Sequence, residues 1–232
     1  MSIGNRSYEK FNRAPRELVE LFRDLPVANI ADCMCRISCA DQGIKPMNKN
    51  YRILGTAFTV KEIAGDNLLV HKALDMLQPG DVLVVDGNGC MERSLVGEMM
   101  CTYAKTRGCA GIVIDGVVRD LEGLATLDMP VYARGAQANG PLKNGWGEIG
   151  VPVPVGGIVV YPGDIIVSDA DGLLAIRPYE AEELARAARA VNEKESALLE
   201  QMKATGVWNR QIFHDAVAKS GVEIIDAEYL YQ

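Results

Sequence analysis

The sequence predicts an α/β fold, a mixed core with a β-rich second half and a helical C-terminal extension. Three observations carry this. The apolar runs Val82–Val85 and Ala110–Ile114 fit strands buried on both faces. Between them, Ser94–Arg107 sets Leu95, Met99, Thr102 and Tyr103 at helical spacing, which makes a βαβ unit with a right-handed crossover. From Val131 onward the chain breaks into short β-rich pieces punctuated by Gly and Pro.

In order along the chain, residues 1–14 form a polar arm ending in Ala14-Pro15, and a first helix spans Pro15–Arg23, with proline tolerated in its first turn. A second helix is expected over Ala28–Cys35, then a loop from Asp41 to Asn50 rich in Gly, Pro and Asn. Tyr51–Val60 reads as a strand. Asp66–Leu77 reads as a helix, with Leu69, Ala73, Leu74 and Leu77 on one face. Pro79-Gly80-Asp81 turns the chain into the first buried strand, and Gly108 stops the helix that follows it. The later strands are Val131–Ala133, Val151–Val155, Ile158–Tyr161, Ile165–Ser168 and Leu173–Ile176. Pro162-Gly163-Asp164 repeats the earlier Pro-Gly-Asp, which reads as one turn-then-strand device used twice. Beyond Pro178, Glu180–Lys203 is a charged amphipathic helix. The division is therefore a core with its arm, 1–178, and a helical extension, 179–232, that packs on the core or on a neighbouring subunit.

Several classes of function are excluded. With 31 acidic against 24 basic residues and no stripe of Lys or Arg, the chain is no nucleic-acid binder. No apolar run reaches the ~20 residues of a membrane span. The opening Met1–Arg6 carries neither a signal-peptide core nor a lipidation motif, so a cytoplasmic location and reduced thiols are expected. Cys33, Cys35 and Cys39 read as core cysteines rather than a soft-metal site. Gly87-Asn88-Gly89 has Glu92 where a dinucleotide fingerprint needs glycine, so no nicotinamide, flavin or methyl-donor cofactor is expected.

The helix and strand of the βαβ unit advance about equal distances, so the helix start at Gly97-Glu98 and the loop Asp115–Asp120 share one edge of the sheet. The loop Asp86-Gly87-Asn88-Gly89 reaches the same edge, the carboxyl edge at which ligands sit in open α/β sheets. Glu98, Asp120 and Arg119 beside free helix N–H groups suit a hard divalent ion, Mg²⁺ or Mn²⁺, and an anionic substrate. Taken alone, Arg119-Asp120 also fits a surface pair on a loop. His71, on the helix after Gly65-Asp66-Asn67, is a candidate to face the site, and His214 reads as structural.

Gly97-Glu98, followed after twenty residues by Arg119-Asp120 within Asp115-Gly116-Val117-Val118-Arg119-Asp120, resembles a known family. It contains the class II 4-hydroxy-4-methyl-2-oxoglutarate/4-carboxy-4-hydroxy-2-oxoadipate aldolases and the regulator of ribonuclease activity A. Gly65-Asp66-Asn67-Leu68, Pro79-Gly80-Asp81, Ala104-Lys105-Thr106-Arg107-Gly108 and Asp169-Ala170-Asp171-Gly172 support the resemblance, which covers roughly residues 25–180. It implies the β/β/α swivelling-domain (phosphohistidine-like) fold, a trimer or hexamer, and a site between subunits. It also implies that Asp120 is a metal ligand, that Glu98 touches the metal through water, and that Arg119 contacts the substrate. The substrate's pyruvyl carboxylate would lie on the N–H groups at Glu98, Met99, Met100 and Cys101, after Gly97. In the aldolase branch a C-terminal glutamate reaches the neighbouring site, and Glu193 and Glu195 both fit that description here.

The expectation is a metal-dependent lyase that cleaves a 4-hydroxy-2-oxo di- or tricarboxylate to pyruvate and a second oxo acid, with oxaloacetate decarboxylation as a side activity. No lysine sits in an evident apolar pocket, which disfavours a Schiff base. The alternative is a non-catalytic regulator that binds a ribonuclease or another protein. Continuation of the chain well beyond Ile176 favours the enzyme.

Overall fold

Strict alternation along the central strands decides the layers. The computed structural model describes residues 3–229. Its elements begin with β1 (Arg6–Ser7), α1 (Arg16–Glu20), α2 (Val27–Cys33), β2 (Lys45–Pro46), β3 (Leu54–Glu62) and α3 (Leu68–Met76). There follow β4 (Asp81–Val96), α4 (Glu98–Thr106), β5 (Gly111–Val118), α5 (Leu121–Thr126), β6 (Val131–Ala136) and β7 (Gly147–Ile149). Last come β8 (Val153–Val155), β9 (Ile158–Val160), β10 (Ile165–Ser168), β11 (Leu173–Ile176), α6 (Ala181–Thr205) and α7 (Gln211–Lys219). The described residues fall into two compact units divided between Asn192 and Glu193.

Strands β3, β4, β5 and β6 are parallel neighbours in a mixed nine-stranded sheet, and α3, α4 and α5 cross between them. Leu83, Val85, Ile112 and Ile114 point to the helical layer, where they meet Val70, Leu74, Cys101, Ala104 and Leu124. Val82, Val84 and Val113 point the other way, onto Val153, Val155 and Val160 of the β8–β9 hairpin. Burial on both faces is why these segments are uniformly apolar. A third cluster joins α1 and α2 to β10, β11 and the start of α6, where Ala181, Leu184, Ala185 and Ala188 are buried.

The two Pro-Gly-Asp turns are one device built twice. Gly80 and Gly163 both have φ near +90°, at 91° and 92°, a conformation that favours glycine. Each buried aspartate accepts an N–H three residues back, Gln78 to Asp81 at 2.8 Å and Tyr161 to Asp164 at 2.7 Å. Each also pairs with an arginine, Arg13 with Asp81 and Arg177 with Asp164. The strands they launch flank β3, one parallel and one antiparallel, and both pair with Thr56.

The structure corrects several boundaries. The strand expected over Tyr51–Val60 is β3 and runs from Leu54 to Glu62, because Tyr51 and Ile53 are held by the Ser168 hydroxyl and backbone instead. β4 does not end at Val85: it continues to Val96 through register shifts after Asp86, Cys90 and Ser94, so the expected Asp86–Gly89 loop is strand and the helix begins at Glu98, not Ser94. β5 likewise extends to Val118. Sequence periodicity missed β1, β2, β7, α5 and α7, which are short or lie in polar stretches. Cys35 and Cys39 are exposed, so these two are not core thiols, whereas the half-buried Cys33 packs against the cluster of α1, α2, β10 and β11. His214 is exposed on α7. Among the described residues no helix is long and apolar enough to cross a membrane.

Asp81 accepts Arg13 Nε and Nη2 at 2.7 and 2.9 Å, and Arg13 stacks over Phe11. Replacing Arg13 with Met leaves a buried carboxylate without its counter-charge, so chemical denaturation should show a loss of about 3 kcal/mol. A loss below about 0.5 kcal/mol would show that Asp81 needs no partner.

Candidate active site

The parallel register of β4 and β5 ends with Val96 beside Val118, and the Arg119 N–H donates to the Val96 carbonyl at 3.1 Å. The residues that follow, Gly97-Glu98 and Arg119-Asp120, therefore emerge side by side and open α4 and α5. Asp120 turns the chain in a left-handed conformation, with φ 61°, ahead of α5. Its Oδ2 accepts the Glu98 N–H at 3.1 Å and lies 3.6 Å from Arg119 Nε. Gly97 is extended at φ −140°, a conformation open to any residue, yet a Cβ there would collide with Asp120 Oδ2. Glycine is required by the close approach rather than by the backbone angle. On α5, Gly123 leaves similar room for the Glu98 carboxyl, which lies against it.

The arginine and aspartate side chains remain 45% and 43% exposed, so the pair is open to a ligand. A pocket of about 180 Å³ adjoins it, lined by Asn67, His71, the segment Ser94–Gly97, Met99, Met100, Arg119, Pro141 and Lys143. His71 is brought there by α3, as its position after Gly65-Asp66-Asn67 suggests. Partial burial, together with the Lys143 charge, lowers its imidazole below the ordinary value, so it is neutral at pH 7. Asn67 Nδ2 donates to the Leu95 carbonyl at 2.7 Å, which fixes the amide's orientation.

The structure brings together Gly97, Glu98, Met99, Met100, Arg119 and Asp120, but it divides the expected row of amides. The Cys101 N–H is taken by the Gly97 carbonyl at 3.1 Å, and the Glu98 N–H by Asp120. The Met99 and Met100 N–H groups are left as first-turn donors with no intrahelical acceptor. Cys101 is a core residue whose thiol burial pushes up to about 12. Glu193 and Glu195 are exposed on α6, in the second unit. Sequence reasoning missed Asn67 and Lys143. Asn67 stands inside the Gly65–Leu68 motif, whereas Lys143 sits in an irregular loop and carries no pattern.

With the geometry in place, a family model described as RraA-like, aldolase/RraA, matches residues 27–175. The chain belongs to this family. It is 35% identical over 207 residues to a Halalkalibacterium halodurans protein named "Putative 4-hydroxy-4-methyl-2-oxoglutarate aldolase", covering 88% of this chain and 99% of that one. Among solved structures it is similar to the Thermus RNA-processing inhibitor RraA, at TM-score 0.62 and 32% identity over 66% of this chain and 93% of that one. Streptomyces coelicolor RraAS2, described as an unusual member of the RNase ES inhibitor RraA family, matches at TM-score 0.73 and 27% identity over 81% and 98%.

Gly97→Ala tests the close approach. If Asp120 is a metal ligand, as the family resemblance implies, the variant should keep its fold while its affinity for Mn²⁺, read by electron paramagnetic resonance, weakens at least about tenfold as Asp120 is displaced. Unchanged affinity would remove Asp120 from the candidate ligands.

Proposed function

We propose that the chain is a divalent-metal-dependent lyase that cleaves a 4-hydroxy-2-oxo di- or tricarboxylate to pyruvate and a second oxo acid, with oxaloacetate decarboxylation as a side activity. One observation carries the reading: Arg119-Asp120 meets the open first turn of α4 beside a pocket containing Lys143 and a neutral His71. Two cationic side chains and two free amides suit a substrate with more than one anionic group. The family membership and the H. halodurans relative's name point to the same class.

The donor set fits Mg²⁺ or Mn²⁺. Asp120 and Glu98 would hold it, since such hard ions commonly take one or two protein carboxylates and keep several waters. Among the described residues no group of three or more His, Cys, Asp or Glu gathers anywhere, so a closed protein cage is not the arrangement. When bound, the ion supplies Lewis-acid polarisation of the 2-oxo group.

The Met99 and Met100 N–H groups hold the C1 carboxylate, and Lys143 holds a distal one. A base takes the 4-hydroxyl proton, the C4–O bond becomes a carbonyl, and the C3–C4 pair passes into the enolate of pyruvate. Arg119 stabilises the enolate oxygen, and a proton delivered to C3 completes the product. The base is assigned to Glu193 or Glu195 of a neighbouring copy in a trimeric or hexameric assembly of the swivelling-fold type.

Chelation should abolish pyruvate release from a panel of 4-hydroxy-2-oxo acids, and Mg²⁺ or Mn²⁺ should restore it. Release of pyruvate from none of them would overturn the reading in favour of a ribonuclease-binding regulator. Arg119→Lys keeps the charge but loses the planar fork, so kcat should fall about 100-fold with a smaller change in KM. Either Glu193→Gln or Glu195→Gln should lower aldol cleavage about 100-fold and spare decarboxylation, which removes no hydroxyl proton. If both variants cleave normally, the base lies elsewhere.

A further inference from the structure

Helix α3 carries Asn67 and His71 to the pocket, and its first turn is held from beneath by a buried acid. Glu62, the last residue of β3, has 1% of its surface exposed. Its Oε1 accepts the Val70 N–H at 2.9 Å, while Asp66 Oδ1 accepts that of Leu68 at 2.9 Å. These two carboxyls satisfy amides of a helix whose N-cap residue, Asn67, makes no side-chain cap. Glu62 Oε2 has no hydrogen-bond partner, and neither does Asn67 Oδ1.

A carboxylate buried with one bare oxygen is costly, whereas the neutral acid carries no charge to desolvate. Burial, opposed by the Val70 and Leu69 amides and assisted by the Asp66 charge, accordingly raises the Glu62 carboxyl to about 8. The other charges on elements packed around it are His71, Lys72 and Asp75 on α3, Lys61, Asp81, Asp86, Glu92, Arg93 and Glu148 on the strands, Arg16, Glu17 and Glu20 on α1, and, on α4 beyond α3, Glu98 and Lys105. Lys61 pairs with Asp86 and Glu148 across the sheet, on the face opposite Glu62, because neighbours along a strand alternate.

We propose that Glu62 is a positioning residue: its protonated carboxyl holds the first turn of α3 so that Asn67 and His71 stand in the pocket, and loss of that proton weakens the site's hold on an anion. Ionisation places a negative charge beneath a pocket that takes anions, and its burial favours a loosened first turn. The identity of that anion as a 2-oxo acid rests on the aldolase reading. The coupling between Glu62 and His71 does not.

The full-length chain with Mg²⁺ is compared with Glu62→Gln and Glu62→Ala. The His71 imidazole resonances, followed from pH 5 to 10 without substrate, should show a second inflection near pH 8 that is absent in Glu62→Gln. Pyruvate affinity should fall about tenfold between pH 7 and 9.5 in the parent, the order of one unpaired charge near an anion, and stay flat in Glu62→Gln. Glu62→Ala should bind pyruvate about tenfold more weakly at every pH, with orphaned amides that the glutamine restores.

Thermal stability gives an independent reading. A carboxyl raised on folding contributes stability that is present below its unfolded value near 4.5 and lost as pH rises through about 8. The melting temperature should therefore fall across that window in the parent and not in Glu62→Gln. An inflection that persists in Glu62→Gln, or an unchanged pH slope of pyruvate affinity, overturns the proposal. If pyruvate binds neither protein, the aldolase reading fails, while the His71 inflection still decides the role of Glu62.

Discussion

The site depends on one rung of the sheet. Where the Arg119 N–H meets the Val96 carbonyl, two parallel strands stop together. Parallel strands deliver their chain ends to the same edge, so the residues after the rung are neighbours although twenty or more positions separate them in sequence. The centre of the site follows within three residues of that point: the left-handed turn of Asp120, the amide of Glu98 beneath its carboxylate, and the missing side chain of Gly97. A side chain at Gly97 or a one-residue slip of β5 would leave α4 and α5 intact but separate the carboxylate from the helix start.

The fate of the acidic residues shows how the molecule divides structure from chemistry. Asp81, Asp115 and Asp164 are buried, and each is tied to an arginine and to a backbone N–H. Their charge serves to hold loops to the sheet. Asp120 and Glu98 instead stand at the surface, and the Asp120 contacts are one amide at 3.1 Å and one loose guanidinium contact at 3.6 Å, which leaves lone pairs for a ligand. Glu62 belongs to neither group. It is as buried as the structural acids but has no arginine, and the missing counter-charge turns a packing residue into one that responds to pH. On the proposed reading a net charge of −7 need not oppose an anionic substrate, because the charged side chains that line the pocket, Arg119 and Lys143, are cationic.

Sequence patterns revealed what burial on two faces dictates. Val82–Val85 and Ala110–Ile114 could be read because both layers of the core demand apolar residues from them. The continuation of β4 through Asp86-Gly87-Asn88-Gly89 could not, since this polar ribbon pairs with β5 through register shifts and, after Gly87, buries little until Ser94. Its glycines resemble a loop because positive φ is needed at Gly89, and at Asn88 as well. In the site, Gly97, Glu98, Arg119 and Asp120 were legible from spacing and resemblance together, and His71 from the helix that bears it. Lys143 was not, because a residue from an irregular connection reaches a pocket only through the path of the folded chain.

Length is a weaker guide to activity than the site itself. A continuation past the last strand favours an enzyme if regulators end there, and the match to the Thermus inhibitor over 66% of this chain is consistent with that distinction. RraAS2, which bears a regulator's family name, nevertheless matches over 81% of the chain, so a long alignment does not by itself separate the two kinds of protein. The fold is common to both and does not decide the chemistry. On the proposed reading the argument for chemistry therefore rests on the site, where an exposed carboxylate, an arginine beside it and first-turn helix amides stand next to a pocket lined by Arg119 and Lys143, an arrangement that protein binding alone does not call for.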